Sequence, residues 1–115
     1  MAFTKEELEQ YRKVINAYIE TRRPPVHLRN QVDLSFRIQN QSIEILEIRS
    51  RFNDPRKTVE TPIAKTTWVQ SQQVWHIFWQ RADMKWHRYD PLPEVKTLDK
   101  FIDVVEADEY GCFYG

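Results

Sequence analysis

Two adjacent prolines, Pro24 and Pro25, separate two hydrophobic periods, and that change of period limits the fold more than any other feature. Before them, Leu8, Tyr11, Ile15, Tyr18 and Ile19 recur at intervals of three and four, which draws one apolar stripe along a helix. Thr4 and Glu7 have the spacing of a capping box, with Phe3 and Leu8 placed as a hydrophobic staple, so the helix is predicted to begin at about Lys5. Proline lacks an amide hydrogen and clashes with the preceding turn, so the helix ends near Arg22. After the prolines the period drops to two. Val32, Leu34, Phe36 and Ile38 alternate with Asp33, Ser35, Arg37 and Gln39, the mark of a half-buried strand.

A second strand, 42–52, follows closely enough to form a hairpin around Asn40. Beyond a loop containing Asp54 and Pro55, the segments 63–69, 74–81 and 85–90 read as third, fourth and fifth strands, rich in β-branched and aromatic residues. The short connections make the sheet antiparallel. Pro91 and Pro93 then break the chain, after which Leu98, Phe101, Ile102 and Val105 mark a second helix with Thr97 as its cap. The expected architecture is α+β over residues 1–115: an N-terminal helix, a five-stranded antiparallel sheet and a C-terminal helix, with both helices packed on one face of the sheet. The aromatic ending around Tyr110, Phe113 and Tyr114 is expected to dock on the sheet or on another subunit.

The 17 lysines and arginines balance 17 aspartates and glutamates, so no whole-molecule field gathers nucleic acid or a membrane surface. Any such binding has to come from a local patch. The only glycines are Gly111 and Gly115, which leaves no glycine-rich loop for a nucleotide phosphate and no nucleophile elbow. ATPases, dinucleotide enzymes and α/β-hydrolases are excluded on that ground, and no cofactor is expected. The first residues lack the basic and apolar regions of a signal peptide, and no stretch is long enough to span a bilayer. Cys112 is the only cysteine, which points to a reducing compartment, the cytoplasm. Together with His27, His76 and His87 it has none of the spacings of a zinc site, so no metal is expected. Its acidic neighbours give no reason for a lowered thiol pKa, and it is not expected to act as a nucleophile.

The segments Ile19-Glu20-Thr21-Arg22-Arg23-Pro24-Pro25, Glu47-Ile48-Arg49, Lys85-Trp86-His87-Arg88-Tyr89 and Glu109-Tyr110-Gly111-Cys112-Phe113 resemble a small bacterial family known as domain of unknown function 3024. The resemblance covers nearly the whole chain. It implies a stand-alone bacterial domain and brings no activity, cofactor or site residue with it.

One constellation points to an enzyme. Asp33 followed by Glu47 and Arg49 on the next strand resembles metal-dependent nucleases of the restriction-endonuclease type, in which paired carboxylates hold magnesium and a lysine positions water. Here Arg49 stands in the lysine position and cannot give up a proton. Register decides the rest. A two-residue turn at Asn40 and Gln41 sets Arg37 opposite Glu44 and sends Asp33 and Glu47 to opposite faces, whereas a three-residue turn brings the two carboxylates together. The first register is preferred because it makes the Arg37 ion pair and the Phe36–Ile45 contact. It leaves Glu47 and Arg49 as a pair at the sheet margin.

The leading expectation is therefore a non-enzymatic interaction module that works through an aromatic sheet face. Trp75, Trp79, Trp86, Tyr110 and Phe113 are its surface, and another protein or a second copy of the chain is its partner. The alternative is nucleic-acid binding, through Arg22, Arg23, Arg49, Arg51, Arg81, Lys85 and Arg88, because aromatics interleaved with cations stack bases and meet phosphates.

Overall fold

The computed structural model describes residues 3–51 and 54–114. Helix α1 (Lys5–Arg22) opens with the expected box: the Thr4 hydroxyl accepts from the Glu7 amide at 3.2 Å and the Glu7 carboxylate from the Thr4 amide at 2.9 Å. A short 3-10 turn (Val26–Leu28) leads into β1 (Val32–Gln39) and β2 (Ser42–Arg51). β3 (Asp54–Val69), β4 (Val74–Gln80), β5 (Trp86–Arg88) and β6 (Glu94–Val95) complete the sheet, and α2 (Leu98–Ala107) follows. The expected fifth strand is thus shorter, and a sixth lies between Pro93 and the second helix. β1 to β5 lie side by side in sequence order, and β6 pairs with β4 beyond the end of β5. All pairs are antiparallel. The predicted end of the second strand, Phe52, lies outside the described residues.

The β1–β2 hairpin takes the two-residue turn, with Asn40 at φ 55°, a left-handed conformation that asparagine tolerates. Arg37 faces Glu44, Phe36 faces Ile45 and Leu34 faces Glu47. Directly opposed residues of an antiparallel ladder share a face. Ile43, Ile45, Ala64, Thr66, Trp75, Ile77 and Val95 accordingly line one side, where they meet Ile15, Tyr18 and Ile19 of α1 and Leu98, Phe101 and Val105 of α2. Both helices therefore cover one face; the other carries no helix, although Glu44, Leu46 and Val74 are buried there. Thr66 is fully buried in this core, and its hydroxyl donates to the His76 carbonyl at 2.9 Å.

β3 departs from the expected pattern, which has a loop at Asp54 and Pro55 and a strand beginning at 63. The strand runs back to Asp54, and Thr58, Val59, Glu60 and Thr61 pair with Ser50, Arg49, Ile48 and Glu47. Pro62 does not stop it, for a reason that lies in the ladder. Ser50 donates to the Gln31 carbonyl and Trp68 to the Gln41 carbonyl, which makes Arg49–Val59 and Glu47–Thr61 the hydrogen-bonded pairs of β2 and β3. Pro62 then falls where its missing N–H would face away from β2. Ile63 is the extra residue of a bulge between the Ile45–Ala64 and Leu46–Pro62 pairs. Residues 56–61 are exposed throughout, so this part of the sheet projects beyond the helices. The projection lengthens the molecule to 46 Å and raises its radius of gyration to 14.6 Å, against about 13 Å for a compact chain of this size.

The tail docks as expected, on the molecule itself. Asp108 caps α2 at φ 42°, and its carboxylate accepts from the Phe113 amide at 3.0 Å and the Tyr114 amide at 2.9 Å. Phe113 packs against Tyr89 with ring centroids 5.0 Å apart. The Tyr114 and Tyr18 hydroxyls lie 2.6 Å apart, and the Arg22 guanidinium covers the Tyr114 ring at 4.0 Å.

Candidate functional site

The five aromatics expected to form one surface are split by the register. Trp75 is 3 % exposed and Phe113 6 %, so both are core residues. Trp75 lies against Trp68, Tyr11 and Phe3, with centroids 5.2 to 5.7 Å away. Tyr110 is 66 % exposed beside α2, over a hollow of about 200 Å³ that also involves Leu92 and Val104. Trp79 is half-buried on the helix-covered side, directly opposite His87. Trp86 opposes Gln80 and stands on the open side. The physical reason is parity. Along β4 the odd positions turn to the helices, which claims Trp75 for the core and leaves His76, Phe78 and Gln80 half-buried on the other side, with Val74 buried at its end.

The open face therefore carries a different set from the one expected. Phe78 and Trp86 are diagonal neighbours across β4 and β5, and both are half-buried. The Lys65 ammonium lies over both, 5.8 Å from the Phe78 ring centre and 5.6 Å from that of Trp86. In the ladder Lys65 opposes Glu44, yet Glu44 is held by Arg37 at 3.1 Å, and Lys65 is among no ion pair of the described residues. Arg88 opposes Phe78 and is exposed, likewise without a carboxylate partner among the described residues. Next to it a shallow hollow of about 360 Å³ is lined by Gln72, Val74, His76, Arg88 and Glu94. His76 Nε2 is 2.8 Å from the Gln72 side-chain oxygen. Sequence reasoning passed over Lys65; the signal that would have found it is the pairing of β3 with β4, which sets it opposite Phe78.

The other cations divide into engaged and free. Arg23 grips Asp33 with two bonds, 2.8 and 2.7 Å, Arg22 pairs with Glu106 at 3.3 Å, and Arg49 bonds Glu47 at 2.5 Å. Arg51, Arg81 and Lys85 have no carboxylate partner among the described residues, and Arg51 lies on the projecting end, away from the aromatic pair. The nuclease constellation does not assemble: Asp33 opposes Ile48 and Glu47 opposes Leu34, so the two carboxylates leave the sheet on opposite sides. The Arg23 bonds hold the Asp33 carboxyl below its ordinary pKa, the value expected of a group fixed in its charged form. Among the described residues no three His, Cys, Asp or Glu side chains gather to hold a metal ion. Burial, followed by the nearby Asp108 carboxylate, raises the Cys112 thiol pKa, so a thiolate nucleophile has no support there. Among the described residues no helix is long and apolar enough to cross a membrane.

A family model described as Domain of unknown function (DUF3024) matches residues 3–115. The chain belongs to this family. The match spans both helices, the whole sheet and the tail, so the open face and the clasp around Asp108 both lie inside the family's domain. No curated protein matches the chain, and no solved structure does.

Proposed function

We propose that the chain is a non-enzymatic binding module, acting in the cytoplasm, whose open sheet face takes single-stranded nucleic acid. The observation that carries this reading is the placement of the Lys65 ammonium over the half-buried rings of Phe78 and Trp86, 5.8 and 5.6 Å from their centres, on a face that no helix covers. Flat rings offer stacking to any base, while Lys65 and Arg88, which form no ion pair among the described residues, offer charge to the phosphates. A duplex hides its base faces, so the preference is for single strands. The lone cysteine, which leaves no internal disulfide, accords with a reducing compartment. A protein partner through Trp75 and Phe113 loses its support because those residues are inside the core.

The test is fluorescence anisotropy with labelled single-stranded DNA and RNA and the matching duplexes, at rising salt. Single strands should bind, with affinity falling steeply as salt rises. Trp86→Ala should weaken binding about tenfold, the effect of losing one stacked base. Unchanged anisotropy for every oligonucleotide at low salt would overturn the reading and leave a protein partner on the same face as the one to pursue.

A further inference from the structure

The β4–β5 hairpin carries a second cation–aromatic pair, on the side opposite to Lys65, Phe78 and Trp86. The Arg81 guanidinium stands 5.6 Å from the Trp79 ring centre, Trp79 is half-buried, and Arg81 is exposed with no carboxylate partner among the described residues. His87 opposes Trp79 in the ladder and is held by Asp83 at 2.8 Å, which fixes the floor beside the ring. Between the two pairs stands only β5, three residues long and at the edge of the sheet. Side chains rise about 5 Å from each face of a sheet and strands lie about 5 Å apart, so the path from one pair to the other around that edge is on the order of 20 Å, a distance that an extended nucleic-acid backbone covers within a few nucleotides.

We propose that the binding site continues round the β5 edge, so that Trp79 and Arg81 form a second stacking subsite and one single strand occupies both sides of the hairpin. This inference rests on the reading of the open face given above, and it adds a property which that reading lacks: a dependence on strand length. A strand of two or three nucleotides fills the Phe78–Trp86 platform alone. A strand of eight or ten reaches Trp79 and Arg81 as well.

The experiment measures affinity for oligothymidylates of 2 to 12 nucleotides at one low salt concentration, with the wild type, Arg81→Ala, Trp79→Ala and Trp86→Ala. Wild-type affinity should rise in two steps, and Trp79→Ala should remove the second, costing long strands about tenfold and short strands nothing. Arg81 is exposed, so Arg81→Ala folds normally, and it should weaken long strands severalfold while sparing short ones. Trp86→Ala should weaken all lengths. If short strands bind the wild type but neither Trp79→Ala nor Arg81→Ala discriminates by length, the second subsite is wrong and the open-face reading stands. If no length binds the wild type, both fall together. Should Trp79→Ala lose helix content, the length dependence of Arg81→Ala decides alone.

Discussion

The two ends of the sheet are built from the same alternating pattern and held by different things. At the covered end, Ile43 and Ile45 of β2 are fully buried against the helices. Two residues further along the same strand face, Glu47 and Arg49 reach past the helices and close on each other instead. Alternation is thus a statement about the strand, and burial depends on what lies above it. The covered end is held by apolar contact, whereas the projecting end is held by its ladder and by exposed ion pairs, which contribute little.

The largest expected effect tests the covered end. Phe101→Ala, at a fully buried position, should cost about 3–5 kcal/mol in urea unfolding, while Val59→Ala on the projecting end should stay within about 0.5 kcal/mol. Similar values at the two positions would erase the distinction. Next comes the clasp: Asp108→Ala strips two amides of a charged acceptor and should cost about 1.5–3 kcal/mol, seen as a lower urea midpoint and as freer exchange of the Phe113 and Tyr114 amides.

Asp33 stands on the boundary, gripped by Arg23 from the end of α1. Its folded pKa is lowered from the ordinary 3.8 by those bonds, so the pair stabilises the fold at pH values above the unfolded pKa. That stability fades as pH falls through the lowered folded value. Wild type should therefore exceed Asp33→Asn in stability by a constant margin above about pH 5, with the margin closing in more acid solution. A margin independent of pH would mean that the carboxylate charge contributes nothing. The smallest effect belongs to the projecting end, where Glu47→Gln should change stability by no more than about 0.5 kcal/mol, because Arg49 is mostly exposed.

The helices, their caps and the hairpin register follow from local rules, which is why they are legible in the sequence. Thr4, Glu7 and Thr97 announce helix starts by hydrogen-bond chemistry within three residues of themselves. The Arg37–Glu44 and Phe36–Ile45 pairs are enough to choose between two turns. The length of β3 is not legible, since Pro55, Pro62 and a run of charged residues look like a loop until the direction of each amide is known. The candidate site is hidden for a similar reason. Both sides of β4 are aromatic, so composition alone does not say whether Trp75 or Phe78 faces the helices; that needs the long-range pairing of β3 with β4.

The Tyr18–Tyr114 contact joins residues 96 positions apart. A growing chain presents α1 well before Tyr114. Until the C-terminal helix and tail are made, the apolar stripe of α1 has neither to lie against. Order of manufacture and order of assembly are opposed in this fold: a helix made before the sheet waits to be enclosed by the elements made after it.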